Sequence, residues 1–274
     1  MSFKSLMVHI ELDRPNDTRI KIAGDLAKRF GAGVIGIAAY REVPFYYSDG
    51  YAATEVIEKE RKALAARMRA AETLFRGAFA GQAKFVEWRS AIADPADFIL
   101  EQSRAADLVL LGTAQREDNF NPERELDSTD IIVAAGRPAL VLPPEVERLQ
   151  AKCVLIAWKD TREARRAVLD SLPLLSLCQR VIVVEIDEAN DPTAVDMSVN
   201  DVVVWLSRHG VKAHGVTVPL LDSPATQLDQ LAKEEDADLI IAGAYGHGRF
   251  REWVLGGITR DILSRMPRSM FLSH

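Results

Sequence analysis

The segment Ala237–Arg260, ADLIIAGAYGHGRFREWVLGGITR, gathers the residue types that hold an anion. A short apolar run, Leu239–Ala242, lies between Asp238 and Gly243 and predicts a buried parallel strand. Gly243, Gly246 and Gly248 follow, then Arg249 and Arg251, the pair Gly256 and Gly257, and Ile258-Thr259-Arg260 at the start of a predicted helix 258–265. Glycines let backbone N–H groups approach phosphate oxygens, and a helix N-terminus favours negative charge. Read without a ligand, Gly243 and Gly246 are turn glycines, His247 is an exposed loop histidine and the arginines are a solvated face.

Other chemistries lack their residues. No GxxxxGK[ST] is present, so the segment is not a P-loop. Gly246-His-Gly248-Arg-Phe-Arg251 lacks the third glycine of a dinucleotide fingerprint and follows a late strand rather than the first. There is no GxSxG elbow. His9, His209, His214 and His274 show no metal-ligand spacing with Cys153, Cys178 or each other and are read as structural. No carboxylate in the glycine-rich segment is placed to hold Mg²⁺ or activate water. The expectation is a binding protein rather than an enzyme.

Elements that alternate along the chain must position this segment. Predicted strands are 6–10, 34–39, 85–88, 107–111 and 139–142, with helices at 18–30, 55–79 and 95–103. Asp94 is the expected cap of the third helix and Pro95 its first residue. Strands at 154–158, 181–186, 213–218, 238–242 and 270–272 then alternate with helices at 162–175, 196–209 and 225–235. Between the two series, Pro143-Pro144 and the charged run Glu145–Lys152 read as a linker. The resulting domains are 1–144, a linker 145–152, and 153–274. Each series predicts an α/β fold with a parallel sheet covered on both faces.

The two series are copies. Ala106-Asp-Leu-Val-Leu-Leu-Gly112 matches Ala237-Asp-Leu-Ile-Ile-Ala-Gly243 at an offset of 131, which also pairs Asp130-Ile131 with Asp261-Ile262 and Arg137 with Arg268. Nearer the first strands the offset is 148, Leu6 against Val154. The copies differ in charge at the critical loop. Gln115, Glu117, Glu125 and Leu126 stand where the second copy has Gly246, Gly248, Gly256 and Gly257, and Asp118 and Glu123 add further carboxylates. Like charges about 4 Å apart cost roughly 1 kcal/mol in water and several times that near a protein surface. A phosphate ligand is therefore expected in the second copy only.

Length and composition agree with two ordinary domains: 274 residues, 48% hydrophobic and 27% charged. A net charge of −6 supplies no basic footprint for nucleic acid. The first residues carry too short an apolar run for a signal peptide and no run reaches membrane-spanning length, so a cytoplasmic protein with no membrane partner is expected.

With these residues in place, the chain resembles the universal stress protein family in its tandem two-domain form. The family's nucleotide-binding members carry Gly-x2-Gly-x9-Gly and a hydroxyl residue after the fourth strand, and Gly243, Gly246 and Gly256 fall on those glycines. The AWxxxREA-like stretch Ala157–Ala164 and the final Leu-Ser-His also fit. The resemblance implies two tandem five-stranded parallel-sheet domains, Rossmann-like and adenine nucleotide alpha hydrolase-like. It implies ATP or another adenine nucleotide as a regulatory ligand in stress response, bound in the C-terminal domain; it leaves any metal unknown. Gly243, Ala244, Gly246, Gly248, Gly256, Gly257 and Ile258 would wrap backbone around ribose and phosphates. His247 and Thr259 would donate hydrogen bonds, Arg249 would add charge, and Trp158, Lys159 and Asp160 would form the pocket floor. Two positions depart from the family: Gly257 stands at the hydroxyl position, with Thr259 the nearest hydroxyl, and Lys159 stands where an aspartate is usual, with Asp160 next. The alternative is a nucleotide-free interaction scaffold in which the edge strands 139–142 and 270–272 pair with each other or with another chain. A homodimer or an unknown protein partner is left open by both readings.

Overall fold

The computed structural model describes residues 2–41, 50–113, 126, 128–188, 191–244 and 268–274, with only the helical backbone described at 50–56 and 192. The first half runs β1 (Ser5–His9), α1 (Asp17–Phe30), β2 (Gly33–Ala39), α2 (Gly50–Ala78), β3 (Val86–Ala91), α3 (Pro95–Gln102), a 3₁₀ turn, β4 (Leu108–Gly112), α4 (Ser128–Ala134) and β5 (Ala139–Leu142). The second half runs β6 (Cys153–Ala157), α5 (Arg162–Leu175), β7 (Arg180–Asp187), α6 (Pro192–Arg208), β8 (Ala213–Pro219), α7 (Pro224–Glu234), β9 (Leu239–Gly243) and β10 (Ser269–Ser273).

Local chemistry sets most of the helix starts. Asp94 Oδ1 accepts from Asp97 N at 3.0 Å, with Pro95 beginning α3 as expected. The same device repeats at Asp191-Pro192 and Ser223-Pro224, while Thr161 caps α5 by accepting from Ala164 N. Helix α6 therefore starts earlier than its apolar periodicity alone indicates. Helix α4 is a further element, which periodicity did not place; its seven residues are too short to display a helical repeat.

The ten strands among the described residues form one sheet in the order β3-β2-β1-β4-β5-β10-β9-β6-β7-β8. Every pair within a half is parallel. The exception is the seam, where β5 and β10 run antiparallel with Met270 opposite Val141, Phe271 opposite Leu140 and Leu272 opposite Ala139. Each is the last strand of its half, and each would otherwise leave a row of unpaired N–H and C=O groups. The two edges thus satisfy each other. Helices α1, α2, α5 and α6 cover one face, burying Phe75, Leu172 and Leu206, and α3, α4 and α7 cover the other, burying Ile99, Ile131 and Leu228.

The repeated residues explain themselves in this frame. Asp107 accepts from Lys4 N at 2.6 Å and Ser5 N at 3.0 Å; its counterpart Asp238 accepts from Ala151 N at 2.7 Å. Both carboxylates tie the start of one central strand to the start of its neighbour. Arg268 donates to Ala237 O and pairs with Asp229 at 2.6 Å, clamping the same end of the sheet. Within the charged run 145–152, Leu149 and Ala151 are buried.

Candidate functional site

Strands β6 and β9 are parallel neighbours, with Ala157 beside Ala242. Chain direction reverses its spread here: β7 and β8 lie to one side, β10 to the other. This is a topological switch point, the place where parallel α/β sheets bind ligands at the carboxyl ends of strands. Trp158-Lys159-Asp160 leaves β6 at that end, and Gly243-Ala244 ends and leaves β9 beside it.

The N-terminal turn of α5 presses onto Gly243. A Cβ on Gly243 would lie 2.6 Å from the carbonyl carbon of Glu163 and 2.9 Å from Ala164 Cα, so only glycine fits without moving helix backbone. The first glycine of the segment thus serves the packing of strand against helix, whatever else it does. Ala244 is buried; its N–H donates to Ser273 O at 2.8 Å and its carbonyl accepts from His274 Nδ1 at 2.8 Å. His274 and Ser273, which in turn donates to Asp170 Oδ2 at 2.6 Å, are site-edge residues that spacing does not reveal. Their only trace in sequence is the closing Leu-Ser-His. Gly246, His247, Gly248, Arg249, Gly256, Gly257, Ile258 and Thr259 lie outside the described residues.

The three residues leaving β6 diverge. Trp158 N donates to Val184 O, while its indole Nε1 donates to Ser198 Oγ on α6 at 2.8 Å. The Trp158 side chain is therefore committed to the α5–α6 side of the sheet, leaving its backbone at the strand end. Lys159 Nζ pairs with Glu188 at 2.8 Å, and Asp160 pairs with Arg165 at 2.9 Å. Beneath them Glu185, on β7, is buried with Oε2 unpartnered among the described residues. Burial pushes its carboxyl up to about 7, against the opposing pull of the Ser198 hydrogen bond and Lys159. The folded chain thus keeps a proton that the unfolded chain releases near 4.5, and stability falls as pH rises between those values. Glu185→Gln is expected to gain about 2 kcal/mol on the wild type between pH 5 and pH 8. Urea denaturation at the two pH values measures this; a difference that does not change with pH contradicts it.

The equivalent place in the first half is filled from within. Sheet register sets Leu6 beside Leu108 as it sets Val154 beside Leu239, so Gly112 corresponds to Gly243 and Glu11 to Lys159. Arg19, on α1 and 8% exposed, pairs through Nη2 with Glu11 Oε1 at 2.6 Å and donates through Nη1 to His9 O. A Cβ on Gly112 would meet this ion pair, 3.0 Å from Arg19 Cζ and 2.8 Å from Glu11 Oε1. Burial alone would raise the Glu11 carboxyl, but Arg19, helped by His9 and Arg14, holds it below its usual value. Burial drops His9 to about 4, so it is neutral at pH 7. Ser128, the counterpart of Thr259 at the 131-residue offset, is buried and donates to Gly112 O at 2.9 Å. That hydroxyl ties helix to strand. The carboxylates of the first loop, Glu117, Asp118, Glu123 and Glu125, lie outside the described residues.

Residues 207–274 match the universal stress protein family. The match lies wholly within the second half of the chain. The whole chain is similar in structure to a universal stress protein from Archaeoglobus fulgidus, with a TM-score of 0.72 and 15% identity over 98% of this chain and 95% of that one. A functionally unknown protein from Pseudomonas aeruginosa is also similar, with a TM-score of 0.59 and 15% identity over 99% of this chain and 92% of that one. At such identity the likeness is one of fold, and it extends over both halves. No curated protein sequence matches the chain. In this universal stress protein fold the described residues include no helix long and apolar enough to cross a membrane.

Proposed function

We propose that the chain binds ATP or a related adenine nucleotide at the switch point of its second half, and that the nucleotide acts as a regulatory ligand in a cytoplasmic stress response. The observation that carries this reading is the seating of Gly243 against the first turn of α5. It brings a helix N-terminus flush with the strand end from which the glycine-rich segment departs. On this reading Gly246, Gly248, Gly256 and Gly257 supply backbone N–H groups, His247, Arg249 and Thr259 supply polar and charged contacts, and Ala244 and Ile258 supply main chain. The base would rest near the Trp158 backbone, Lys159 and Asp160. The role proposed is binding, with any ATP hydrolysis slow or absent. The domains would be 1–144 and 153–274, the first without a nucleotide.

Calorimetric titration with ATP tests the proposal. Saturable heat is expected for the wild type, with affinity at least tenfold weaker in Gly246→Glu, which places a carboxylate in the phosphate path. No heat from either protein overturns it. Sustained ATP turnover by pure protein, abolished by the same change, would replace a binding role with an enzymatic one. The scaffold alternative draws on the seam, where both last strands are already paired within the chain.

A further inference from the structure

A second cavity in the same half lies between α5 and α6, beneath the polar rim of the strand ends. Its volume is about 450 Å³, within the range of small-molecule sites. The α6 wall presents Ser198, Asp201, Val202 and Trp205, at the spacing that places four residues on one helix face. Trp158 closes one end, and Val168 and Leu169 of α5 form the facing wall. Leu169 is 45% exposed, an apolar side chain left open to solvent at the mouth.

Both indoles are held in place before any ligand arrives. Trp158 is anchored through Nε1 on Ser198, and the Trp205 ring stands 4.2 Å from the His209 ring at 45°. Held aromatic faces attract flat apolar molecules and cations. The charges lining the cavity are Asp160, Arg165 and Asp201. Asp160 and Arg165 neutralise each other, leaving Asp201, which forms no ion pair among the described residues. The lining therefore selects against an anion. The corresponding cavity of the first half, between α1 and α2, has no aromatic residue among its described lining residues. Among the described residues, the pair of indoles distinguishes the cavity of the second half from that of the first.

We infer that the α5–α6 cavity binds a small planar aromatic molecule carrying a positive charge, its ring against Trp158 and Trp205 and its cation toward Asp201. This site is separate from the nucleotide site proposed above and does not depend on it: only the Trp158 backbone and Asp160 are common to both regions.

Three probes of one shape and different charge test the inference: 1-naphthylmethylamine, 1-naphthalenemethanol and 1-naphthoate. The readout is the indole N–H resonances of Trp158 and Trp205 in ¹H–¹⁵N spectra of the full chain, assigned with Trp158→Phe and Trp205→Phe. The amine is expected to shift both resonances saturably, with affinity at least tenfold above the alcohol, and the carboxylate to shift neither. In Asp201→Asn, an exposed position where folding is unaffected, the amine should bind no better than the alcohol. Gly246→Glu should leave amine binding unchanged, which separates this site from the nucleotide site. Unmoved indole resonances, equal binding of all three probes, or a preference for the amine that survives Asp201→Asn would each overturn the inference.

Discussion

Gly243→Ala is expected to destabilise the chain by about 3 kcal/mol, at the upper end of overpacking costs. The added methyl would enter the backbone of Glu163 and Ala164, within 2.9 Å of Ala164 Cα, and backbone cannot step aside as a side-chain tip can. Relief requires either α5 to lift from the sheet or β9 to shift against its two parallel neighbours, β6 and β10. Leu172, Leu174 and Leu175 bury the far end of α5, so lifting its first turn strains a well-packed helix. For a chain of this size the loss corresponds to a fall in Tm of about 6–12 °C. Thermal denaturation of the ligand-free protein measures it. A fall of less than 2 °C would show that α5 yields there freely, and would remove the packing role assigned to Gly243. The same variant bears on nucleotide binding only after its stability is known.

Arg19→Ala is expected to cost about 3 kcal/mol, the low end for breaking a buried ion pair, because the Glu11 carboxylate keeps access to solvent. The more informative result concerns Gly112. Here a Cβ meets the ends of the Arg19 and Glu11 side chains, not backbone. Gly112→Ala should therefore be destabilising in the wild type and nearly silent in the Arg19→Ala background, giving a coupling of about 1–3 kcal/mol in a double-mutant cycle. No equivalent suppression is available to Gly243→Ala. Additive costs for Arg19→Ala and Gly112→Ala would mean that the guanidinium is not what fills the first half's strand ends. In the folded chain this cation occupies the space at the tip of β4 that the second half leaves to its helix backbone, a reason beyond loop charge for the two halves to differ.

The order of elements, the twofold repeat and the α/β class were legible in the residues themselves. Strand runs such as Leu108–Leu111 and Leu239–Ile241 are apolar on both faces because both are covered, and Asp94-Pro95 announces a helix start by chemistry local to it. The repeated Asp107 and Asp238 were visible as a pattern, but their reason is not local: each carboxylate caps the start of a strand about 90–100 residues away in sequence. Edge strands 139–142 and 270–272 could also be recognised, yet the choice between pairing with each other or with another chain needed the assembled sheet. Their antiparallel seam follows from two similar halves meeting edge to edge through their last strands.

What the candidate site gained from tertiary structure is direction. In the sequence Trp158, Lys159 and Asp160 are three consecutive residues after a strand, and nothing in their order says where each side chain goes. The fold sends the indole to Ser198, the ammonium to Glu188 and the carboxylate to Arg165, because α6, the end of β7 and α5 happen to offer those partners. Arg19 gave no signal at all, being one charged residue among many on an amphipathic helix. Only the placement of α1 over the ends of β1 and β4 turns it into the cation that fills the first half. The sequence by itself determined where the glycines are and that two copies exist. The tertiary structure decided what Gly112 and Gly243 face, since a missing Cβ acquires meaning only from the atoms that fold against it.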